Sequence, residues 1–181
     1  NDANQKSIGE KGGIEIIIRM MKRHGGSNVE IAKGGCRALL SLALNNDANK
    51  TSIGEKGGIE IIIRMMKKHG GSNAEIAKEG CGALGNLANN NDANQKSIGE
   101  KGGIEIIIRM MKIHGGSNVK IAEYGCRALG SLAANNGTNT RKILAANGMS
   151  IVKRMKLMWA SDAYVKHNAD GALRHLRSKL R

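Results

Sequence analysis

Gly12-Gly13-Ile14-Glu15-Ile16-Ile17-Ile18-Arg19-Met20-Met21-Lys22 is written three times in this chain, beginning at Gly12, Gly57 and Gly102. Asn-Asp-Ala-Asn likewise opens at Asn1, Asn46 and Asn91, so the period is 45 residues. Self-similarity at such a period marks a solenoid or array, in which each unit buries its apolar face only against its neighbours. A divergent fourth copy starts near Asn136. There Ala145, Asn147, Gly148 and Ile151 to Met155 echo the earlier units, and Gly171-Ala172-Leu173 echoes their ends. Residues 1–45, 46–90 and 91–135 are thus three repeats and 136–181 a divergent capping repeat, all one solenoid domain. Copies so alike point to recent duplication or to a deliberately designed, consensus-like scaffold without a native ligand.

Each unit carries three helix signals. Asp2, Asp47 and Asp92 are candidate caps for a short first helix, with Gln5 and Gln95 three residues on as in a capping box. The second helix is expected from about Ile14 to His24, closed by Gly25-Gly26, with Lys22, Arg23 and His24 in the last turn, where the helix dipole favours positive charge. The Ile16-Ile17-Ile18 run suits a strand as well as a helix by propensity. Its length and the flanking Met, Arg and Lys decide for helix. The third helix follows Ser27 with Glu30, or Ser72 with Glu75, as capping boxes, and then sets Ile31, Gly35, Ala38, Leu39 and Leu42 on one stripe. Matching stripes run from Ile76 to Leu87 and from Ile121 to Leu132. A helical glycine costs about 1 kcal/mol relative to alanine, so these glycines imply close approach of neighbouring helices.

Composition agrees with an all-α fold of close-packed helices. The 181 residues contain no Phe, no Pro and one Trp, leaving Ile, Leu, Met and Ala to supply the core. No run approaches the roughly 18–20 apolar residues of a membrane span. Cys36, Cys81 and Cys126 are odd in number and evenly spaced, unlike a secreted disulfide framework, which suggests a cytoplasmic or nuclear setting.

At these residues the sequence resembles the armadillo repeat family of importin-α and β-catenin. The likeness lies in the capped short helix, then Ile8-Gly9-Glu10-Lys11-Gly12-Gly13-Ile14, the Met/Ile-rich second helix, and Gly35-Cys36-Arg37-Ala38-Leu39-Leu40-Ser41-Leu42-Ala43; it covers essentially the whole chain. It implies a right-handed superhelical solenoid of about four repeats, three helices to each, whose third helices line a concave peptide groove. In importin-like members an Asn near the end of the third helix holds the ligand backbone and a Trp one turn earlier forms pockets. Here the Asn position holds Ser41, Asn86 and Ser131, and the Trp position holds Arg37, Gly82 and Arg127. With the formal charge of +14, that departure argues against basic nuclear-import signals as ligands.

The groove candidates are therefore Lys33, Arg37 and Ser41, Lys78, Gly82 and Asn86, and Glu123, Arg127 and Ser131, each set spaced i, i+4, i+8. Arg37 and Arg127 are expected to meet carboxylates of an extended acidic or neutral peptide or partner protein, with pairing of Glu123 to Arg127 as the purely local alternative. Ten Lys and Arg against Asp162 and Asp170 make residues 136–181 the most basic unit. Arg141, Lys142, Lys153, Arg154, Lys156, Arg174, Arg177, Lys179 and Arg181 form either a solvated cap or a patch for acidic protein, nucleic acid or anionic lipid. The missing aromatics leave base reading unsupported. The first unit, identical to interior ones, is expected to leave an apolar end face, suited to end-to-end homo-association or to an upstream repeat.

Nothing points to catalysis or a cofactor. Gly80-Cys81-Gly82-Ala83-Leu84-Gly85 spells the dinucleotide fingerprint but falls in mid-helix, where that motif cannot work. His24, His69 and His114 recur once per unit, steps of roughly 10 Å that no metal ion can bridge.

Overall fold

The structure, a computed structural model, describes residues 2–177. Among them are twelve helices and no strand, three helices to each period. First helices are α1 (Asp2–Glu10), α4 (Asp47–Glu55), α7 (Asp92–Glu100) and α10 (Gly137–Ala145); second helices are α2 (Gly13–His24), α5 (Gly58–His69), α8 (Gly103–His114) and α11 (Gly148–Met158). Third helices are α3 (Val29–Ala43), α6 (Ala74–Ala88), α9 (Val119–Ala133) and α12 (Ala163–Arg177), and they stack directly on one another. No helix is long and apolar enough to cross a membrane among the described residues.

The isoleucine triplets are helical because packing outweighs propensity. Ile61, Ile62 and Ile63 are all buried, as are Ile106, Ile107 and Ile108. A helix enclosed on most sides gains far more from this burial than the few tenths of a kcal/mol that β-branching costs.

The helix caps differ from the sequence expectation. Asn46, Asn91 and Asn136 cap the first helices by accepting from the backbone N–H three residues on, so Asp47 and Asp92 lie inside the first turn. Likewise Asn28, Asn73 and Asn118 cap the third helices, while Ser27 and Ser72 donate back to the carbonyls of His24 and His69. The cap thus lies one residue before the expected Asp at the first helices and one residue after the expected Ser at the third helices, and asparagine there satisfies the same orphan N–H groups. Gln5 and Gln95 do not close capping boxes; their amides donate to the carbonyls of Ser41 and Ala88. The turn between first and second helices needs a left-handed residue, supplied by Gly12, Gly57 and Gly102 and, in the fourth unit, by Asn147 at φ 62°.

Consecutive units are fastened by buried amides. Asn49 donates to the carbonyls of Gln5 (3.1 Å) and Leu42 (3.0 Å), and Asn94 donates to those of Lys50 (3.0 Å) and Leu87 (3.1 Å). Asn139 reaches Gln95 at 2.9 Å. Each carboxamide sits against a glycine of the preceding first helix, where a Cβ at Gly9, Gly54 or Gly99 would collide with it. A second row joins the second helices: His69 and His114 bond the carbonyls of Gly25 (2.8 Å) and Gly70 (2.7 Å). Trp159 takes over this place in the fourth unit, donating to Gly115 at 2.7 Å. Lys56–Glu15 and Lys101–Glu60 pairs, at 2.6 and 2.7 Å, tie the outer edges.

Met21, Met66 and Met111 lie over Gly35, Gly80 and Gly125, which explains the helical glycines within each unit. Cys36, Cys81 and Cys126 are buried and free, and loss of solvation pushes all three thiols up to about 12. Asn49, which heads an Asn-Lys-Thr triplet of the glycosylation type, is buried in the first interface.

Asn94→Ala removes two donors from buried carbonyls and is expected to cost about 2 kcal/mol in urea unfolding. Asn4 occupies the same place in the first unit and is exposed; Asn4→Ala is expected to change stability by less than about 0.5 kcal/mol. Equal effects from the two substitutions would contradict the interface assignment.

Candidate functional site

The four third helices form one continuous row. The row is close where small residues face each other: a Cβ on Gly85 would touch Ala128 Cα at 3.3 Å, and one on Gly130 would touch Ala172 Cα at 3.4 Å. Between α3 and α6 the fit is different. Leu40 stands where Gly85 and Gly130 stand in later units, and its side chain fills the space over Gly82, with Tyr124 closing the other side. Gly82 is thus buried beneath two neighbours and presents nothing on the surface. This is why the arginine of Arg37 and Arg127 is missing from the second unit: an arginine there would compete with Leu40 and Tyr124 for one volume.

The predicted ladder separates into bound and unbound members. Lys33 pairs with Glu30, and Lys78 with Glu75 and Glu79. The local alternative of Glu123 with Arg127 is not realised, because Glu123 turns back to Lys120 at 2.7 Å, and that bond holds the Lys120 ammonium above its usual range. Asn86 is buried and donates to the Leu40 carbonyl at 3.0 Å, so part of its amide staples α6 to α3. Arg37 and Ser41 are exposed. Arg127 is half-buried, with its guanidinium 5.0 Å from the centre of the Tyr124 ring.

Two clefts bring ladder residues together. One, of about 130 Å³, is lined by Asn45, Lys50, Asn86, Asn89, Arg127 and Ser131 among others. The other, of about 440 Å³, lies between α9 and α12 and shares Arg127 and Ser131. Arg37, Lys33, Lys78 and Glu123 line neither cleft. Sequence reasoning did not find the contributions of Asn89, Asn90, Asn135, His167 and His175; for the asparagines, the recurrence of Asn after α3, α6 and α9 was the available signal.

The basic candidates of the fourth unit are only partly a free surface. Lys142 donates to the Gly99 carbonyl at 2.6 Å, and Lys156 pairs with Asp170, which lowers the Asp170 pKa. Arg141, Lys153, Arg154, Arg174 and Arg177 are exposed; Lys179 and Arg181 lie outside the described residues. Residue by residue, this unit replaces what earlier units bury. Lys153, Lys156 and Asp170 stand where Ile108, Met111 and Cys126 stand, and Leu144 occupies the glycine seat of Gly99. No cluster of His, Cys, Asp and Glu able to hold a metal occurs among the described residues. The glycine-rich segment from Gly80 to Gly85 lies inside α6.

No protein-family model matches the chain, and no curated protein does. Solved structures match closely. An engineered protein superposes with a TM-score of 0.83 at 25% identity, covering 98% of this chain and 68% of that one. The designed armadillo repeat protein YIII(Dq)4CqI gives 0.83 at 17% identity, over 97% of this chain and 69% of its own. A further designed armadillo repeat protein, YIII(Dq.V1)4CPAF, solved in complex with the peptide (KR)4, gives 0.80 at 16% identity, over 97% and 69%. The fold is an all-α, right-handed superhelical armadillo-repeat solenoid.

Gly82→Arg, which would complete the arginine ladder, is expected instead to destabilise the chain by about 1 kcal/mol through overpacking. Adding Leu40→Gly should recover that loss in a double-mutant cycle. Additive single effects would show that Leu40 and Gly82 do not share one volume.

Proposed function

We propose that this chain is a non-enzymatic interaction scaffold that holds an extended, acidic or neutral peptide along the concave third-helix groove. The observation that carries this reading is the state of the ladder: Lys33, Lys78 and Glu123 are spent on local ion pairs, while neither Arg37 nor Arg127 has an ion pair among the described residues. Unpaired guanidinium groups on a fixed row suit carboxylates, which they engage through two parallel hydrogen bonds. The peptide complex of the designed armadillo neighbour supports a peptide ligand in general. Its peptide is basic; the +14 charge of this chain favours the opposite sign.

The engineered neighbours and near-identical units favour one second reading, a designed repeat scaffold with no native ligand. The fourth unit is best read as a solvated cap, since its charges replace buried residues of earlier units and two of its lysines serve internal bonds. A reducing compartment, cytoplasm or nucleus, suits the three buried free thiols.

Calorimetry with a peptide of about twelve residues alternating Glu and Ser tests the groove. Binding should weaken with salt and fall roughly tenfold, or about 1.4 kcal/mol, in an Arg37→Ala, Arg127→Ala double variant. A Lys-Ser peptide that binds as tightly, or a double variant that binds as well as the parent chain, would overturn the reading.

The first unit suggests a further partner. Ile16 is 50% exposed and Met20 42%, whereas Ile61 and Met65, in the same places one unit on, are 2% and 0%. Head-to-tail stacking of copies is opposed by Leu144, Lys153 and Lys156 at the other end, so end-to-end homo-association would join two first units. Light scattering should show a concentration-dependent dimer that Ile16→Lys abolishes; a strict monomer at high concentration would exclude it.

A further inference from the structure

Arg127, which lines the α9–α12 cleft, carries an unused donor: its Nε is buried from solvent and has no hydrogen-bond partner among the described residues. A guanidinium carries five N–H donors in a rigid fork, and leaving a buried one unmet costs stability unless something arrives to accept it. No Asp or Glu lines either cleft that Arg127 borders. The nearest acid along its own helix, Glu123, is held by Lys120.

Geometry prepares this arginine as it does not prepare Arg37. The Tyr124 ring lies beneath the guanidinium, its centre 5.0 Å from the guanidinium carbon, where cation–π attraction favours this placement. Ser131, one helical turn on, borders the same cleft, and from α12 come His167, Asn168 and His175. The space itself exists because α12 carries Gly171 at the helix position where α9 carries Arg127. A Cβ on Gly171 would meet nothing within 4 Å.

We propose that this cleft is a carboxylate seat, in which Arg127 takes the acidic side chain of an Asp or Glu in an extended peptide. The inference rests on the groove reading and sharpens it: one acidic residue is specified at the α9–α12 step, whatever the charge of the rest of the ligand. Ser131 and Asn168 supply further polar contacts, and Gly171 sets the volume available to the incoming side chain.

Proton–nitrogen NMR of the Arg127 Nε–H group tests this with a blocked pentapeptide, acetyl-Ala-Ala-Glu-Ala-Ala-amide, and its Gln twin. The Glu peptide is expected to shift the resonance saturably, with affinity at least tenfold above the Gln twin. Gly171→Leu fills the cleft from open space and is expected to abolish the shift without lowering the thermal midpoint. Arg127→Lys keeps the charge, loses the fork and is expected to lose the preference for Glu, read from the Ser131 backbone amide. Equal binding of the Gln twin, or an undiminished shift in Gly171→Leu, would overturn the seat. So would equal binding by a Gln pentapeptide with a free C-terminus, which would assign the site to chain ends. Shifts confined to Arg37 and Ser41 would overturn it while leaving the groove reading in place, and that reading fails separately in the calorimetric experiment.

Discussion

A carboxamide buried between units holds this molecule in register. Asn49, Asn94 and Asn139 each lie where two first helices and the end of a third helix converge, and the side chain fits because the preceding first helix offers a glycine there. A buried amide without partners would be costly, but Asn49 and Asn94 each donate to two carbonyls of the preceding unit, one on its first helix and one at the end of its third. The geometry is demanding. Sliding one unit by a helical turn would leave the amide unsatisfied and drive it against a Cβ, so the stack has one register, and the third-helix row presents its exposed residues at fixed spacing.

Departures from the repeat carry as much information as the repeat itself. Leu40 and Gly82 exchange bulk across the first step of the row, where the later steps use Gly85 with Ala128 and Gly130 with Ala172. Leu40 fills the space over Gly82, whereas Gly85 takes its place before Arg127. In the fourth unit, the Lys156–Asp170 pair occupies places that hold methionine and cysteine in the third. An exposed ion pair contributes little stability, so the exchange makes sense as an end face that tolerates water. Trp159 for histidine is the conservative counterpart, keeping the donor to Gly115 that ties the last unit down.

Much of the fold was legible because a 45-residue identity needs no propensity argument: the helix count, the closing glycine pairs and the buried thiols all follow from repeats that must stack. The caps were less legible. Ser27 and Asn28 are adjacent cap formers, and propensity does not say which of them sits at the boundary; the backbone, extended at Asn28, decides. The ladder was legible as a spacing but not as a state. Sequence offered Glu123 two cations at helical distance, Lys120 and Arg127, and only the stacking of Arg127 on Tyr124 separates them. Gly82 could not have been read from its own unit, since its meaning lies in Leu40 of the unit before and Tyr124 of the unit after.

A stack of identical units has a limited vocabulary: each groove step offers the same contact, and the ligand it favours is itself a repeat. Selectivity for one residue at one place requires that a step differ from its neighbours. Here the last step differs most, because the space over Gly171 is open where Leu40 and Tyr124 fill that over Gly82, and no acid lines the cleft so formed. Preorganisation then follows from the fold at little entropic cost, since Tyr124 and the packed α9 already hold Arg127 in place before any ligand arrives. On a flexible surface the same guanidinium would find a local carboxylate or water; on this row Glu123 is already taken by Lys120, and Arg127 borders the cleft with no ion pair among the described residues.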